Sequence, residues 1–246
     1  MGRLDAEALG AAAPARRLRV FEPYEGREVE FRAWPLAALL DAVYGPDWRG
    51  EDELLFTCRD GYQPSFPVAR LASYDAYLAF ERPGASDFGI DKRESGRVQR
   101  VSLAPYYVVW DNLDDEILRR DHDYGWPYQV VGLDLIDPVE RFPAMAPPAD
   151  ADARVRAGFR DFRIHCSRCH AVNGVGGAVG PELNAPEAPA GARDPAWLRR
   201  WIDDPSAFAA TARMPALNPA LPQRSAVIDA LVAYLEAMAA TAQASP

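Results

Sequence analysis

Sulfur and imidazole are scarce in this chain: its 246 residues include three cysteines, four methionines and three histidines. Three cysteines cannot make a disulfide framework, so the small, stapled secreted folds are excluded. Lysine is nearly missing, Lys92 being the only one. No apolar run approaches the roughly 18 residues that a bilayer span requires, and the segment from Met1 to Arg17 lacks the hydrophobic centre of a secretory leader. Positive charge is also short, with 27 basic against 36 acidic residues and a formal net charge of -9. Nucleic acid and anionic membrane both demand basic surface, so neither is expected as a partner. What is present is enough apolar material for real cores: 49% of residues are hydrophobic and 11% aromatic, in a length that suits two domains.

The charge divides unevenly. Residues 1–148 carry 17 basic and 26 acidic side chains, whereas residues 149–246 carry ten of each. The change coincides with DPVERFPAMAPPADADA, where Pro138, Pro143, Pro147 and Pro148 forbid a continuous helix and predict a semi-rigid extended linker. Two domains are therefore expected, 1–148 with the linker at its end and 149–246.

Residues 166–170 read Cys-Ser-Arg-Cys-His, the C-x-x-C-H pattern of covalent haem attachment. The chemistry sets the spacing, since two thiols add across the two haem vinyl groups and the adjacent imidazole, here His170, then lies under the iron. The same thiols could open a redox pair or half of a zinc site. Zinc would need further ligands, and only His165 and His170 are available in this half.

On these residues the second half resembles a small class I cytochrome c over about 150–240. Gly158 and Phe162 stand eight and four residues before Cys166, where that family has a glycine and an aromatic. The segment before the motif is helix-like, with Val155, Phe159 and Phe162 on one face, and its partner is expected in SAVIDALVAYLEAM through Val227, Leu231, Tyr234 and Leu235. The resemblance implies that the carbonyl of Pro181 fixes the proximal imidazole and that Leu183 walls the haem. It also implies a sixth ligand in TARMPALNP, namely Met214, 44 residues after His170, with Met145 and Met238 as alternatives. A neutral, soft thioether favours ferrous iron. Trp197, Leu198, Trp201 and Ile202 are expected to form a middle helix.

The first half reads as mixed. LRVFEPYEGREVEFR alternates around Glu25-Gly26 and predicts a hairpin, PLAALLDAVYG predicts a helix from proline to glycine, and DELLFTC with PSFPVARL predicts a second strand pair turning at Arg59-Asp60-Gly61. Strand-like runs follow in VQRVSLAPYYVVWDN and PYQVVGLDLI. Over about 17–136 this pattern resembles the sulfite-oxidase-like fold, the molybdopterin-binding domain of molybdenum oxidoreductases. That resemblance would make Cys58, nine residues before Pro67, a molybdenum ligand; a small buried hydrophobe at a strand end is the alternative. The acidic residues Asp111, Asp114, Asp115, Glu116, Asp121 and Asp123 lack the spacing of a calcium loop and read as a solvated face able to steer a basic partner.

The expected fold is thus an α+β sulfite-oxidase-like domain followed by an all-α cytochrome c domain. The expected function is electron transfer in the periplasm through one covalent haem c held by Cys166 and Cys169 and ligated by His170 and Met214, with a cofactor-free first domain that docks a redox partner; the export leader is absent from this chain. A fused molybdenum and haem oxidoreductase, with molybdopterin on Cys58, is the competing enzyme reading. A gas sensor with Met214 displaced is a third.

Overall fold

The computed structural model describes residues 2–3, 6–94, 97–120, 125–184, 188–219 and 221–243. Asp121 and Asp123 of the acidic run, with His122 between them, lie outside the described residues. The chain forms two compact units, Met1–Asp137 and Pro138–Pro246.

The first unit begins with strand β1 (Gly2–Arg3) and helix α1 (Ala6–Ala12). Its predicted hairpin is β2 (Arg16–Glu22) and β3 (Arg27–Pro35), turning through Gly26 at φ 65°. Pro35 ends β3 and Gly45, at φ 74°, terminates the helix α2 (Leu36–Tyr44), as the proline and glycine signals predict. Strand β4 (Glu53–Cys58) pairs with β5 (Ser65–Pro67), but the residues beyond Pro67 turn into helix α3 (Ala69–Ser73) rather than continuing as strand. Then come β6 (Ala76–Glu81), the separate ribbon of β7 (Gly89–Glu94) and β8 (Arg97–Ser102), β9 (Tyr106–Trp110), helix α4 (Glu116–Arg120) and β10 (Tyr128–Ile136).

The main sheet runs β2-β3-β6-β9-β10-β4-β5, with β1 added on β10, and its neighbours pair antiparallel. Seven of its strands curl into a half-barrel. Every residue of β9 is buried, so this strand is covered on both faces and shows no alternation. At the β2–β3 turn the sheet encloses two acids. Burial pushes the Glu22 carboxyl up, although Tyr107 donates to it at 2.7 Å. Burial acts the same way on Glu25, yet hydrogen bonds from Arg82 and from the backbone N–H of Asp91 hold it below its ordinary range. These partners fix the turn to the residue after β6, to β7 and to β9.

The second unit starts at Pro138, eleven residues before the expected start at 149. Residues 138–148 do not form a free linker: they open with helix α5 (Pro138–Arg141), and Met145, 2% exposed, is part of the second core. Helix α6 (Ala153–His165) begins at Asp152, whose carboxylate accepts from the N–H of Val155 at 2.9 Å. It is followed by a two-stranded ribbon, β11 (Ala171–Val172) and β12 (Val175–Gly176), then helices α7 (Pro189–Ala192), α8 (Pro195–Asp203) and α9 (Arg224–Gln243). Helix α9 also takes the hydroxyl of Tyr234 to the carbonyl of Met145 at 2.7 Å, which ties the proline-rich stretch to this unit.

The expected fold class is therefore corrected. The chain is mostly antiparallel sheet with 35% helix, and the C-terminal unit is not an all-α cytochrome domain. The local reason lies in AVNGVG: Asn173 and Gly174 sit at φ 52° and 76°, the left-handed pair of a two-residue hairpin turn, so the chain after the motif folds back as strands.

Candidate functional site

The site grows from the crossing of α6 and α9. Gly158 stands where the two helices meet, and a Cβ placed on it would fall 1.9 Å from the carbonyl oxygen of Ala230. That closeness brings Phe159 and Phe162 onto the ring of Tyr234, with centroids 5.8 and 5.5 Å away. Helix α6 ends at the motif, where the N–H groups of Cys166 and Ser167 both reach the carbonyl of Phe162 and the N–H of His170 reaches that of Cys166. Cys166, Cys169 and His170 thus leave the helix on one tight turn, all half-buried.

The glycine-rich loop wraps this turn. The N–H of Gly177 donates to the carbonyl of Ser167 at 2.8 Å and that of Gly180 to Cys169 at 2.7 Å. A Cβ on Gly177 would strike the carbonyl of Arg168 at 2.1 Å, and one on Gly180 would strike the His170 ring at 2.4 Å. Hydrogen alone fits at both positions. The consequence falls on the imidazole: its Nδ1–H donates to the carbonyl of Pro181 at 2.8 Å, which leaves the lone pair of Nε2 for a metal. Glu182 steadies the loop from the other side, its carboxylate accepting from the N–H groups of Asn173, Gly174 and Asn184. Neither Gly180 nor Glu182 is picked out by a ligand motif, although a glycine directly before the proline is the signal of close approach.

Met214 lies in the loop between α8 and α9, half-buried against the second core. The loop is anchored just beyond it, where the N–H of Leu217 reaches the carbonyl of Ile202 and the guanidinium of Arg224 holds both the carbonyl of Leu217 and Asp203. The sulfur accepts a hydrogen bond from the indole of Trp201, a contact that residue spacing alone does not reveal. Leu183, Val175, Trp197 and Cys166 join Met214 as apolar side chains only partly covered by the core. The alternatives to Met214 are spent on packing, for Met145 and Met238 are 2% and 3% exposed.

The donor set suits a haem: one imidazole nitrogen presented by its own hydrogen bond, a thioether in an anchored loop, two thiols at the covalent spacing, and half-covered apolar side chains for a flat macrocycle. Burial pushes the Cys166 thiol up to about 12, with Asp161 and Cys169 adding to the effect. Among the described residues no three His, Cys, Asp or Glu side chains are grouped to hold a metal ion.

Cys58 belongs to the other unit. It ends β4, pairs with Val130 of β10 and is 5% exposed within the sheet core. Burial pushes this thiol up to about 12, and Asp60 pushes in the same direction. This setting favours the neutral thiol and agrees with a small buried hydrophobe at a strand end. Of the acidic run, Asp111, Asp114 and Glu116 are exposed, while Asp115 accepts from the N–H of Leu118 and starts α4. Among the described residues no helix is long and apolar enough to cross a membrane. A scan of the chain against protein-family models finds no match, and a search of curated proteins finds none either.

Proposed function

We propose that the C-terminal unit carries one covalently attached haem and that the protein is an electron carrier of the periplasm. The observation that carries this reading is the bond from His170 Nδ1 to the Pro181 carbonyl, made one residue after two thiols at the attachment spacing. The bound haem would supply a one-electron iron couple. The chain does the rest: Cys166 and Cys169 tether, His170 presents Nε2 in a fixed tautomer, Leu183 and Trp197 exclude water, and Met214 offers a soft sixth donor. Nothing in this arrangement needs a substrate pocket. The compartment follows from the attachment chemistry, which belongs to the periplasmic side of the membrane.

Mass spectrometry of protein produced with the haem maturation machinery tests the attachment, since an intact mass without added haem ends the proposal. Met214→Ala is expected to keep the covalent haem and to lower the reduction potential by on the order of 100 mV, a modest share of the ~0.8 V that axial ligands span. Protein-film voltammetry reads this, and an unchanged potential excludes Met214 as ligand.

The first unit is proposed to dock the redox partner. Its excess of acid, with Asp114 and Glu116 on the surface, suits a basic protein. Stopped-flow reduction by such a partner is expected to slow as ionic strength rises, and Asp114→Lys with Glu116→Lys should flatten that dependence because the steering field is screened within about 10 Å at 0.1 M salt. A rate indifferent to salt in the parent protein rejects the docking role.

A further inference from the structure

The first unit holds a cleft of about 340 Å³ that electron transfer does not use. Its walls follow from the register of the sheet. Arg16 opens β2 opposite Ala33 of β3, and two residues further along β3 Pro35 lies opposite Tyr77 of β6, so Arg16 and Tyr77 come to the same sheet face. Helix α2 starts directly after Pro35 and contributes Ala37 and Ala38, whose small side chains leave the space open. Tyr74 and Asp75, between α3 and β6, complete the wall. The volume is at the small end of the roughly 300–1,000 Å³ of ligand pockets, which suits a molecule of few heavy atoms.

Three polar side chains line this space with bonding capacity to spare. Arg16 and Asp75 are exposed, and among the described residues neither has an ion-pair partner, not even the other. Asp41, the second carboxylate on the cleft, is already taken by Arg49 and the Trp48 indole. Tyr77 is 7% exposed, and its hydroxyl is bonded to Arg16. A guanidinium only donates, so the phenol oxygen accepts and its own proton is left for another acceptor. That proton stays in place, because burial pushes the Tyr77 phenol up and Asp75 and Asp111 push the same way against Arg16. The cleft thus offers donors for an anion, a carboxylate for a cation and an alanine floor between them. Opposite charges that share one small cleft without pairing fit a ligand that carries both charges itself. We propose that the cleft binds a free α-amino acid with an apolar side chain, its carboxylate on Arg16 and Tyr77, its ammonium on Asp75 and its side chain over Ala37 and Ala38. The site is independent of the haem proposed above and gives the first unit a ligand of its own.

L-Leucine and L-valine are the probes, titrated calorimetrically into the full chain. Binding at one site per chain and at millimolar concentration or below is expected for at least one of them, with the amide signals of Ala37 and Ala38 shifting in NMR spectra. Isocaproate and isovalerate lack the ammonium of these amino acids, and isoamylamine and isobutylamine lack the carboxylate. Each analogue is expected to bind at least about tenfold more weakly than its amino acid, the worth of one hydrogen bond to a charged group. Asp75→Asn should abolish the preference for the amino acid over the acid analogue, and Arg16→Gln the preference over the amine. Both side chains are exposed, so the unfolding midpoint of the first unit should match the parent's in each variant. Absence of binding by both amino acids overturns the proposal. An analogue that binds as tightly as its amino acid overturns it too, since the cleft is then a plain anion or cation site, and so does an affinity untouched by either substitution, which places the binding elsewhere.

Discussion

Replacing Cys166 and Cys169 together by alanine is expected to give a full-length chain with no covalent haem, colourless after acid-acetone extraction. Each single replacement should leave at most one thioether and a reduced haem yield. His170→Ala is expected to abolish maturation, because on the proposed reading the imidazole, held by Pro181 at 2.8 Å, would seat the iron while the thiols react. Intact mass and a haem stain of denatured gels measure all four proteins. Haem retained by the double variant would mean that attachment does not run through these thiols, and the site would have to be sought elsewhere. The effect is large because it is covalent, and no rearrangement of neighbouring side chains replaces a lost sulfur.

Gly158→Ala is expected to destabilise the C-terminal unit strongly through a single methyl group. The added carbon would lie 1.9 Å from the Ala230 carbonyl oxygen and 2.7 Å from Cβ of Tyr234, and the first of these atoms is backbone. Helices α6 and α9 would have to separate, loosening the contacts of Phe159 and Phe162 with Tyr234. The cost is placed at about 3 kcal/mol, the upper end of what overpacking exacts, since neither helix can move aside singly. Gly50→Ala serves as the control, with no atom within 4 Å of its added carbon, and is expected to change stability by less than about 0.5 kcal/mol. Denaturant unfolding compares each variant with the parent through the transition of the unit that carries the substitution. A C-terminal midpoint unchanged by Gly158→Ala would show that the helices do not meet at Gly158.

The residues of the candidate site were legible where covalent chemistry or a single close contact dictates spacing. Cys166, Cys169 and His170 were singled out by the C-x-x-C-H spacing, whereas Gly158 and Pro181 came only from the resemblance to class I cytochromes c. The fold was less legible. Strand β6, which sits between β3 and β9 in the sheet, reads Ala-Tyr-Leu-Ala-Phe-Glu and is buried through its first four residues, so it offers no alternation to detect. The prolines of residues 138–148 argue for a linker as long as only the backbone is considered. They do not disclose that Met145 fills the second core or that Tyr234 binds its carbonyl. The hairpin that corrects the all-α expectation is two residues long on each side, too short for any periodicity, and its one clue was Asn-Gly. Trp201 escaped for a different reason: an indole at helical spacing reads as core, and only the placement of the loop after α8 reveals that its N–H has a sulfur to bond.

That same Asn-Gly turn bears on how the protein ages. An asparagine followed by glycine is the sequence most prone to deamidate, because the glycine nitrogen can attack the side-chain carbonyl and close a five-membered imide. Here Gly174 gives its N–H to the Glu182 carboxylate at 3.0 Å, and the Asn173 side chain is held at both ends, its amide nitrogen on the carbonyl of Ala144 and its oxygen under the amide of Asn184. With nucleophile and electrophile both engaged elsewhere, the imide cannot close without opening the loop that carries Pro181. Deamidation at Asn173 thus proceeds at the pace of that loop's opening, and its slow accumulation in stored protein becomes a clock for how tightly the imidazole side of the site is kept.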